Sequence, residues 1–355
     1  MIFQQFRHEQ GACLSYLIGC TQKQVCFIVD PQLEIEPYLD YASSHGMRIT
    51  HIFETHAHAD HLSGAKTLSE RSGAPVHYLD TARPAYPVEL VHDGQEIQVG
   101  NILCKIAATP GHTDDSMSII VTDRARADEP WLVLTGDTLF IGDTGRPDLD
   151  GSPEKLYDSI WNKLLTLDDT VEIYPTHFAG SSCGKAMSPK PSSTIGFERK
   201  FNPALRAKSK KEFVEYVLAD LPVQPPRFQL VRKYNLGLMK EPPIERTYDM
   251  SELQITVEQL KTKLDKGEKP FILDVREPSE YRAANIGGTL IPIGEIPKRF
   301  GELDPKQEIV VHCHHGGRSQ RVVEFLYDKG FSNVRNLVGG IDAWSVKVDP
   351  KVPRY

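Results

Sequence analysis

The chain has 355 residues, 40% of them hydrophobic and 25% charged, with a formal net charge of -7. That composition excludes a fibrous or globally disordered chain, and the acidic balance leaves no basic footprint for a nucleic acid. At roughly 150 residues per domain, the length predicts about two domains.

No run nears the ~20 apolar residues that span a bilayer, and the opening MIFQQFRHEQ lacks the charged-then-apolar form of an export signal. A cytoplasmic protein without membrane contact is expected. Six cysteines, Cys13, Cys20, Cys26, Cys104, Cys183 and Cys313, are scattered without a C-x-x-C pair, which argues against a disulfide framework.

In chain order, CFIVD from Cys26 has the pattern of a buried strand, and ITHIFETH (Ile49 to His56) of a second that ends in a histidine cluster. LEIEPYLDYASSHG and DHLSGAKTLSERSG have helical spacing. WLVLTGD (Trp131 to Asp137) and TVEIYPTH (Thr170 to His177) are further β-branched runs, each ending in a side chain able to bind metal. Strand ends held by a sheet fix ligands from distant sequence positions, so this recurrence points to a site on the loops beyond them. KEFVEYVLADLP (Lys211 to Pro222) predicts an amphipathic helix stopped by proline.

Proline and polar residues in LPVQPPRFQ and LMKEPPIERTYD place a boundary near residues 240 to 252, giving a first domain over 1–240, a linker over about 241–251 and a second domain over 252–355. There Thr256-Val-Glu-Gln259 is a capping-box signature that opens a short helix. Strand FILDVRE, strand EIVVHC, helix SQRVVEFLYDKG and strand VRNLVGG follow, an alternation that predicts a small α/β domain with a parallel sheet.

Thr55-His56-Ala-His58-Ala-Asp60-His61 puts four metal-competent groups within six residues directly after a strand. A single histidine there is an ordinary structural residue, but four with His112 in TPGHTDDS, Asp137 in TGDTLF and His177 in YPTHFAG are a ligand set. H-x-H-x-D-H followed by a later His, a G-D and a final His resembles the metallo-β-lactamase superfamily over residues 1 to 240. That resemblance implies an αββα sandwich with metal at one edge of the paired sheets, and leaves the reaction open because one fold hosts many chemistries.

Two chemistries compete. All seven groups could hold two zinc ions, Asp137 bridging, with a metal-bound hydroxide attacking a thioester as in a glyoxalase II-type hydrolase. Alternatively, two histidines and one carboxylate on one face of Fe(II) leave open positions for O2 and a thiolate-like substrate. THAHADH, GDTLFIGDTGRPD and YPTH together resemble the persulfide dioxygenases, which implies one iron held by His56, His112 and Asp137. His58, Asp60, His61 and His177 would then orient those ligands, or serve as ligands in the two-metal alternative. Arg146 in GRPD has the geometry for a substrate carboxylate or for a structural ion pair, and Tyr174 and Lys185 are candidates for binding glutathione. The run GSSCGKAMSPKPSS departs from the shorter loops expected of that family.

Cys313-His314-His315-Gly316-Gly317-Arg318-Ser follows an apolar strand and precedes a helix. Loop amides and a helix N-terminus favour a thiolate there, and Arg318 adds positive charge near an incoming anion. With LDVREPSEY and NIGGTLIPIGEI, this loop resembles the rhodanese family over the last hundred residues. The resemblance implies that Cys313 carries a persulfide and that the amides of residues 314 to 318 cradle sulfur. Asp274 and Arg276 fit an internal pair, His314 and His315 could contact an anion or sit idle on the loop, and Asn285 stands where many rhodaneses have histidine.

The expectation is therefore a metallo-β-lactamase αββα sandwich followed by a parallel-sheet α/β rhodanese domain. It would oxidise glutathione persulfide with O2 at one Fe(II) per chain and exchange sulfur with thiosulfate or sulfite through Cys313, with glutathione as co-substrate. A homodimer is implied by the resemblance alone. A sulfur carrier or sensor that only relays persulfide is a third, non-enzymatic possibility.

Overall fold

Side chains alternate along the first strands so that each buries two faces. Tyr16, Ile18, Phe27 and Val29 enter one core, while Leu17, Cys26 and Ile28 enter another. The computed structural model describes residues 1–8, 11–219, 221, 227–243 and 253–354. The chain falls into two compact units, Met1–Pro243 and Ile244–Tyr355. Residues 244–252 lie outside the described residues, and with them most of the linker expected over 241–251; so does Pro222, expected to end a helix.

In unit 1 the first sheet runs β1 (Ile2–His8), β2 (Cys13–Cys20), β3 (Val25–Val29), β4 (Arg48–Phe53), β5 (Val76–Leu79) and β6 (Glu89–Val91), adjacent in that order. The second contains β7 (Glu96–Val99), β8 (Ile102–Ala108), β9 (Met117–Asp123), β10 (Leu132–Gly136), β11 (Glu172–Pro175) and β12 (Ser193–Thr194), also adjacent in that order. Their inner faces meet in one core, where Leu14, Tyr16, Ile18 and Phe53 pack with Ile106, Ile119, Val121 and Leu134. Helices α1 (Glu36–Ser44) and α2 (Ala65–Ser72) cover the first sheet through Tyr38, Ala42, Ala65 and Leu68. Helix α3 (Pro153–Asn162), the short α4 (Ile195–Phe201) and α5 (Lys210–Leu218) cover the second through Leu156, Ile160, Ile195, Phe213 and Val217. The result is the αββα sandwich. A last helix, α6 (Phe228–Asn235), has no counterpart in the sequence expectations.

The two sheets are joined at one edge. There the start of β2 pairs with the residues after β11, as Cys13 bridges to His177 and Leu14 N–H donates to the Thr176 carbonyl at 2.6 Å. The Tyr16 hydroxyl donates to the Pro175 carbonyl beside them.

Unit 2 holds a five-stranded, all-parallel sheet ordered β13 (Gln254–Ile255), β17 (Val334–Leu337), β16 (Ile309–His312), β14 (Phe271–Asp274) and β15 (Thr289–Leu290). Parallel strands need both faces covered. Helix α10 (Gly317–Asp328) packs Val322, Val323 and Leu326 on one face, while α7 (Val257–Asp265) and α11 (Gly340–Lys347) pack Leu260 and Trp344 on the other. The Thr256–Gln259 capping box forms at the start of α7 as the sequence predicts. Between β14 and β15 lies α8 (Pro278–Ala283), and α9 (Ile296–Arg299) follows β15. Among the described residues, no helix is long and apolar enough to cross a membrane.

The Asp274–Arg276 pair is buried under α8. Arg276 Nε donates to Asp274 Oδ1 at 2.9 Å, and its Nη2 donates to the Ala284 carbonyl at 2.7 Å. His312, the last residue of β16, is fully buried beside them, its Nε2 3.6 Å from Asp274. Burial pushes its imidazole down from 6.5 to about 4. Between those values the unfolded chain binds a proton that the folded unit refuses, so stability falls as pH drops from about 6.5 toward 4 and levels off below. The shift corresponds to roughly 3 kcal/mol at most. In urea titrations over this range, His312→Asn should lose less stability on acidification than the wild type; equal loss in both proteins would contradict the account.

Candidate functional site

The four loops that follow β4, β8, β10 and β11 meet at the joined edge of unit 1. They bring His56, His112, Asp137 and His177 together, each nearly fully buried. One ligand atom each from His56, His112 and Asp137 forms a compact group. Asp137 Oδ2 lies 3.4 Å from His112 Nε2 and 3.9 Å from His56 Nε2. It takes no hydrogen bond, although a buried carboxylate oxygen ordinarily does. The other oxygen, Oδ1, is 2.8 Å from His177 Nδ1.

Outer partners fix the ring orientations. His112 Nδ1 donates to the Arg146 carbonyl at 2.7 Å, and His56 Nδ1 lies 3.1 Å from the Thr55 hydroxyl, which donates to Asp30 at 2.9 Å. Each ring thereby keeps Nε2 as its lone-pair nitrogen, facing Asp137. Asp30 also accepts from the Thr55 N–H at 2.7 Å and the Thr176 hydroxyl at 2.9 Å, so one buried carboxylate ties the loops after β3, β4 and β11. These residues fit a metal ion: two imidazole Nε2 atoms converge on a carboxylate oxygen that takes no hydrogen bond.

The remaining groups of the cluster lie on either side. His58 Nε2 sits 3.0 Å from Asp30 and 3.4 Å from Glu54, in a fully buried triad. On the far side of His177 a second set forms from Cys13, Asp60, His61 and His177, where His177 Nε2 is 2.6 Å from Asp60 and Cys13 Sγ is 3.7 Å from His61.

Burial is the largest single influence on these charge states, although neighbouring charges together can outweigh it. It holds His56 well below the ordinary histidine value, aided by neighbouring His58. For Asp137 burial acts upward, but the facing His177, His112 and His56 outweigh it and keep the carboxyl well below its usual range. Burial raises the Cys13 thiol, and His61 and His177 overcome it, bringing it to about 7.

The contacts proposed from sequence for glutathione have other partners. Arg146 is buried and forks its guanidinium onto Asp148, at 2.8 Å through both Nε and Nη2, which is the ion-pair alternative. Lys185 Nζ donates to the carbonyls of Tyr216 and Ala219, at 2.5 and 2.9 Å, and so caps the C-terminus of α5. The Tyr174 hydroxyl donates to Glu172 at 2.8 Å. Two of these partners are near in sequence, whereas those of Lys185 are more than 30 residues away.

In unit 2, Cys313 lies between β16 and α10, 2% exposed. Its sulfur accepts the Gly316 N–H at 3.1 Å and lies 3.4 Å from the Ser319 hydroxyl. Gly316 adopts φ +99°, and Gly317 opens α10. The loop is held from β17's side, where Ile341 N–H donates to the Cys313 carbonyl at 3.0 Å. Gly340 permits that approach, because a Cβ there would stand 2.4 Å from the carbonyls of Cys313 and His314. Arg318 forks onto Glu280 of α8 with both bonds at 2.7 Å. His314 and His315 stack at 4.0 Å, His315 well exposed.

Sequence inspection missed Asp30, Thr55 and Cys13. Asp30 ends the CFIVD strand as Asp137 ends its own, and that shared position was the available signal.

Residues 8–177 match the metallo-beta-lactamase superfamily and residues 256–347 the rhodanese-like domain. The chain is similar to persulfide dioxygenase ETHE1, mitochondrial, of Bos taurus, 29% identical over 221 residues that cover 61% of this chain and 80% of that one. It is also similar to hydroxyacylglutathione hydrolase of Pseudoalteromonas translucida, 33% identical over 204 residues, 56% of this chain and 74% of the other. Among solved structures, ETHE1 from Myxococcus xanthus superposes with a TM-score of 0.59 at 32% identity, over 67% of this chain and 99% of its own. A metallo-beta-lactamase from Staphylococcus aureus gives 0.63 at 30% identity, over 95% and 98%.

Gly145 is where this geometry is least tolerant. A Cβ there would lie 1.8 Å from the Asp137 carbonyl and 3.3 Å from His112 Cβ. Gly145→Ala should displace both and weaken metal binding at least tenfold, as outer-shell disruption does. Equilibrium dialysis measures this, and wild-type affinity in a folded variant would contradict the arrangement described.

Proposed function

Because the chain belongs to the metallo-β-lactamase superfamily and carries a rhodanese-like domain behind that region, we propose that unit 1 is an iron-dependent persulfide dioxygenase and unit 2 a sulfurtransferase. The observation that carries the proposal is Asp137 Oδ2, an unbonded buried oxygen facing two histidine Nε2 atoms while Oδ1 is spent on His177. Likeness to proteins named persulfide dioxygenase supports the same reading.

In the proposed reaction glutathione persulfide, O2 and water give glutathione, sulfite and two protons. His56, His112 and Asp137 would hold Fe(II), which supplies the one-electron chemistry O2 needs to react with a sulfur nucleophile. His177 orients Asp137, the Arg146 carbonyl orients His112, and Thr55 with Asp30 orients His56. The sandwich edge buries all three ligands and limits water around them.

In unit 2 the Cys313 thiolate attacks the outer sulfur of thiosulfate, the S–S bond breaks, and sulfite leaves. Glutathione then takes the sulfur from the Cys313 persulfide, regenerating the thiolate and releasing glutathione persulfide. The reverse direction, in which sulfite takes sulfur to form thiosulfate, uses the same groups. The Gly316 N–H steadies charge on the Cys313 sulfur, and Arg318 with its Glu280 partner borders the loop. Unpaired thiols at all six cysteines suit a reducing compartment, and we place both reactions in the cytoplasm.

A two-zinc thioester hydrolase is the competing reading, favoured by the second group of Cys13, Asp60, His61 and His177 and by the hydroxyacylglutathione hydrolase similarity.

Oxygen uptake with glutathione persulfide tests the proposal. His112→Ala should abolish uptake and leave sulfur transfer from thiosulfate to glutathione intact. Cys313→Ser should remove the transfer and leave uptake at its wild-type rate. No uptake by iron-loaded wild type would refute the dioxygenase, and loss of uptake in Cys313→Ser would refute separate sites.

A further inference from the structure

The histidine loop of unit 1 is gripped by a helix that contributes no candidate ligand. Asn235, the last residue of α6, is 5% exposed, and its amide is spent entirely on the segment carrying His58 and His61. Nδ2 donates to the His58 carbonyl at 2.9 Å and the His61 carbonyl at 2.8 Å, while Oδ1 accepts the Ser63 N–H at 2.9 Å. Both donors and one acceptor lone pair of the side chain are thus used.

Arg232, three residues earlier and so on the same helix face, reaches the loop by a second route. Its Nη2 donates to Asp115 Oδ1 at 3.0 Å, and Asp115 Oδ2 accepts the Ala57 N–H at 3.0 Å. Asp115 lies three residues after His112, so this route links the loop after His56 to the loop of His112. The helix is itself seated. Leu236, next to Asn235, packs in the core between α1, α2 and the first sheet, and its carbonyl accepts the Ala85 N–H at 2.7 Å.

We propose that Asn235, with Arg232 behind it, is the positioning residue of the metal centre. It holds the main chain of residues 57–63 so that His56 stays aimed at Asp137 Oδ2. The inference rests on the reading that His56, His112 and Asp137 bind metal, and is independent of which metal and which reaction. Without α6 the carbonyls of His58 and His61 would have to find other donors, and the simplest response is for the loop to turn, carrying His56 with it.

The test compares full-length wild type with Asn235→Asp, each loaded with Fe(II) or, for spectroscopy, Co(II). The carboxylate retains an acceptor for Ser63 but sets oxygen against two carbonyl oxygens. Release of Fe(II) to a chelator should accelerate by about tenfold or more, the scale seen for outer partners of metal ligands, and the visible bands of the Co(II) protein should shift. Release at the wild-type rate with unchanged Co(II) bands would overturn the proposal. If Asn235→Asp does not fold, Arg232→Gln, whose side chain is partly exposed, carries the same two readouts, with faster release supporting and wild-type behaviour refuting. A wild-type chain that takes up neither ion refutes the metal reading itself, an outcome distinct from failure of the clamp.

Discussion

The division of labour between the two oxygens of Asp137 governs the metal centre. Oδ1 is committed to His177, and Oδ2 faces the Nε2 atoms of His56 and His112. In the proposed one-iron reading Oδ2 is the oxygen that would face the ion, with Oδ1 held by His177. His177 Nε2 also lies 2.6 Å from Asp60, and in that reading the second set of candidate ligands would brace the first.

That arrangement requires four loops to keep register with one another, and buried polar links between loops supply it. Asp30 ties Thr55 to Thr176, the Arg146 carbonyl ties the Asp137 loop to His112, and α6 ties residues 57–63 to Asp115. Buried groups of this kind contribute modestly when paired and cost heavily when one partner is lost. The centre is therefore sensitive to residues that never touch the metal. Unit 2 solves a simpler problem with fewer links, since one cysteine needs only a tight loop, held by backbone bonds that Gly340 permits.

Much of this was legible in the sequence, for identifiable reasons. His56, Asp137 and His177 sit just beyond strong β-branched runs, Cys313 at the end of another, and Thr256 with Gln259 forms the expected cap. The parallel-sheet domain follows from the same kind of runs, and the αββα sandwich from the family resemblance. The illegible residues are those whose roles exist only through long-range contact. Asn235 ends an eight-residue helix beside a proline-rich stretch, with too little periodicity to register, and its partners are about 175 positions away in sequence. Arg146 and Lys185 also have partners that no pattern announced, Asp148 and the end of α5.

One or two metals is the question on which the account turns. The most direct measurement is metal content per chain in protein produced with iron and zinc both supplied. One iron per chain, lost in Asp137→Ala and kept in His61→Ala, is the predicted result; two zinc ions per chain, with one lost in His61→Ala, would contradict it.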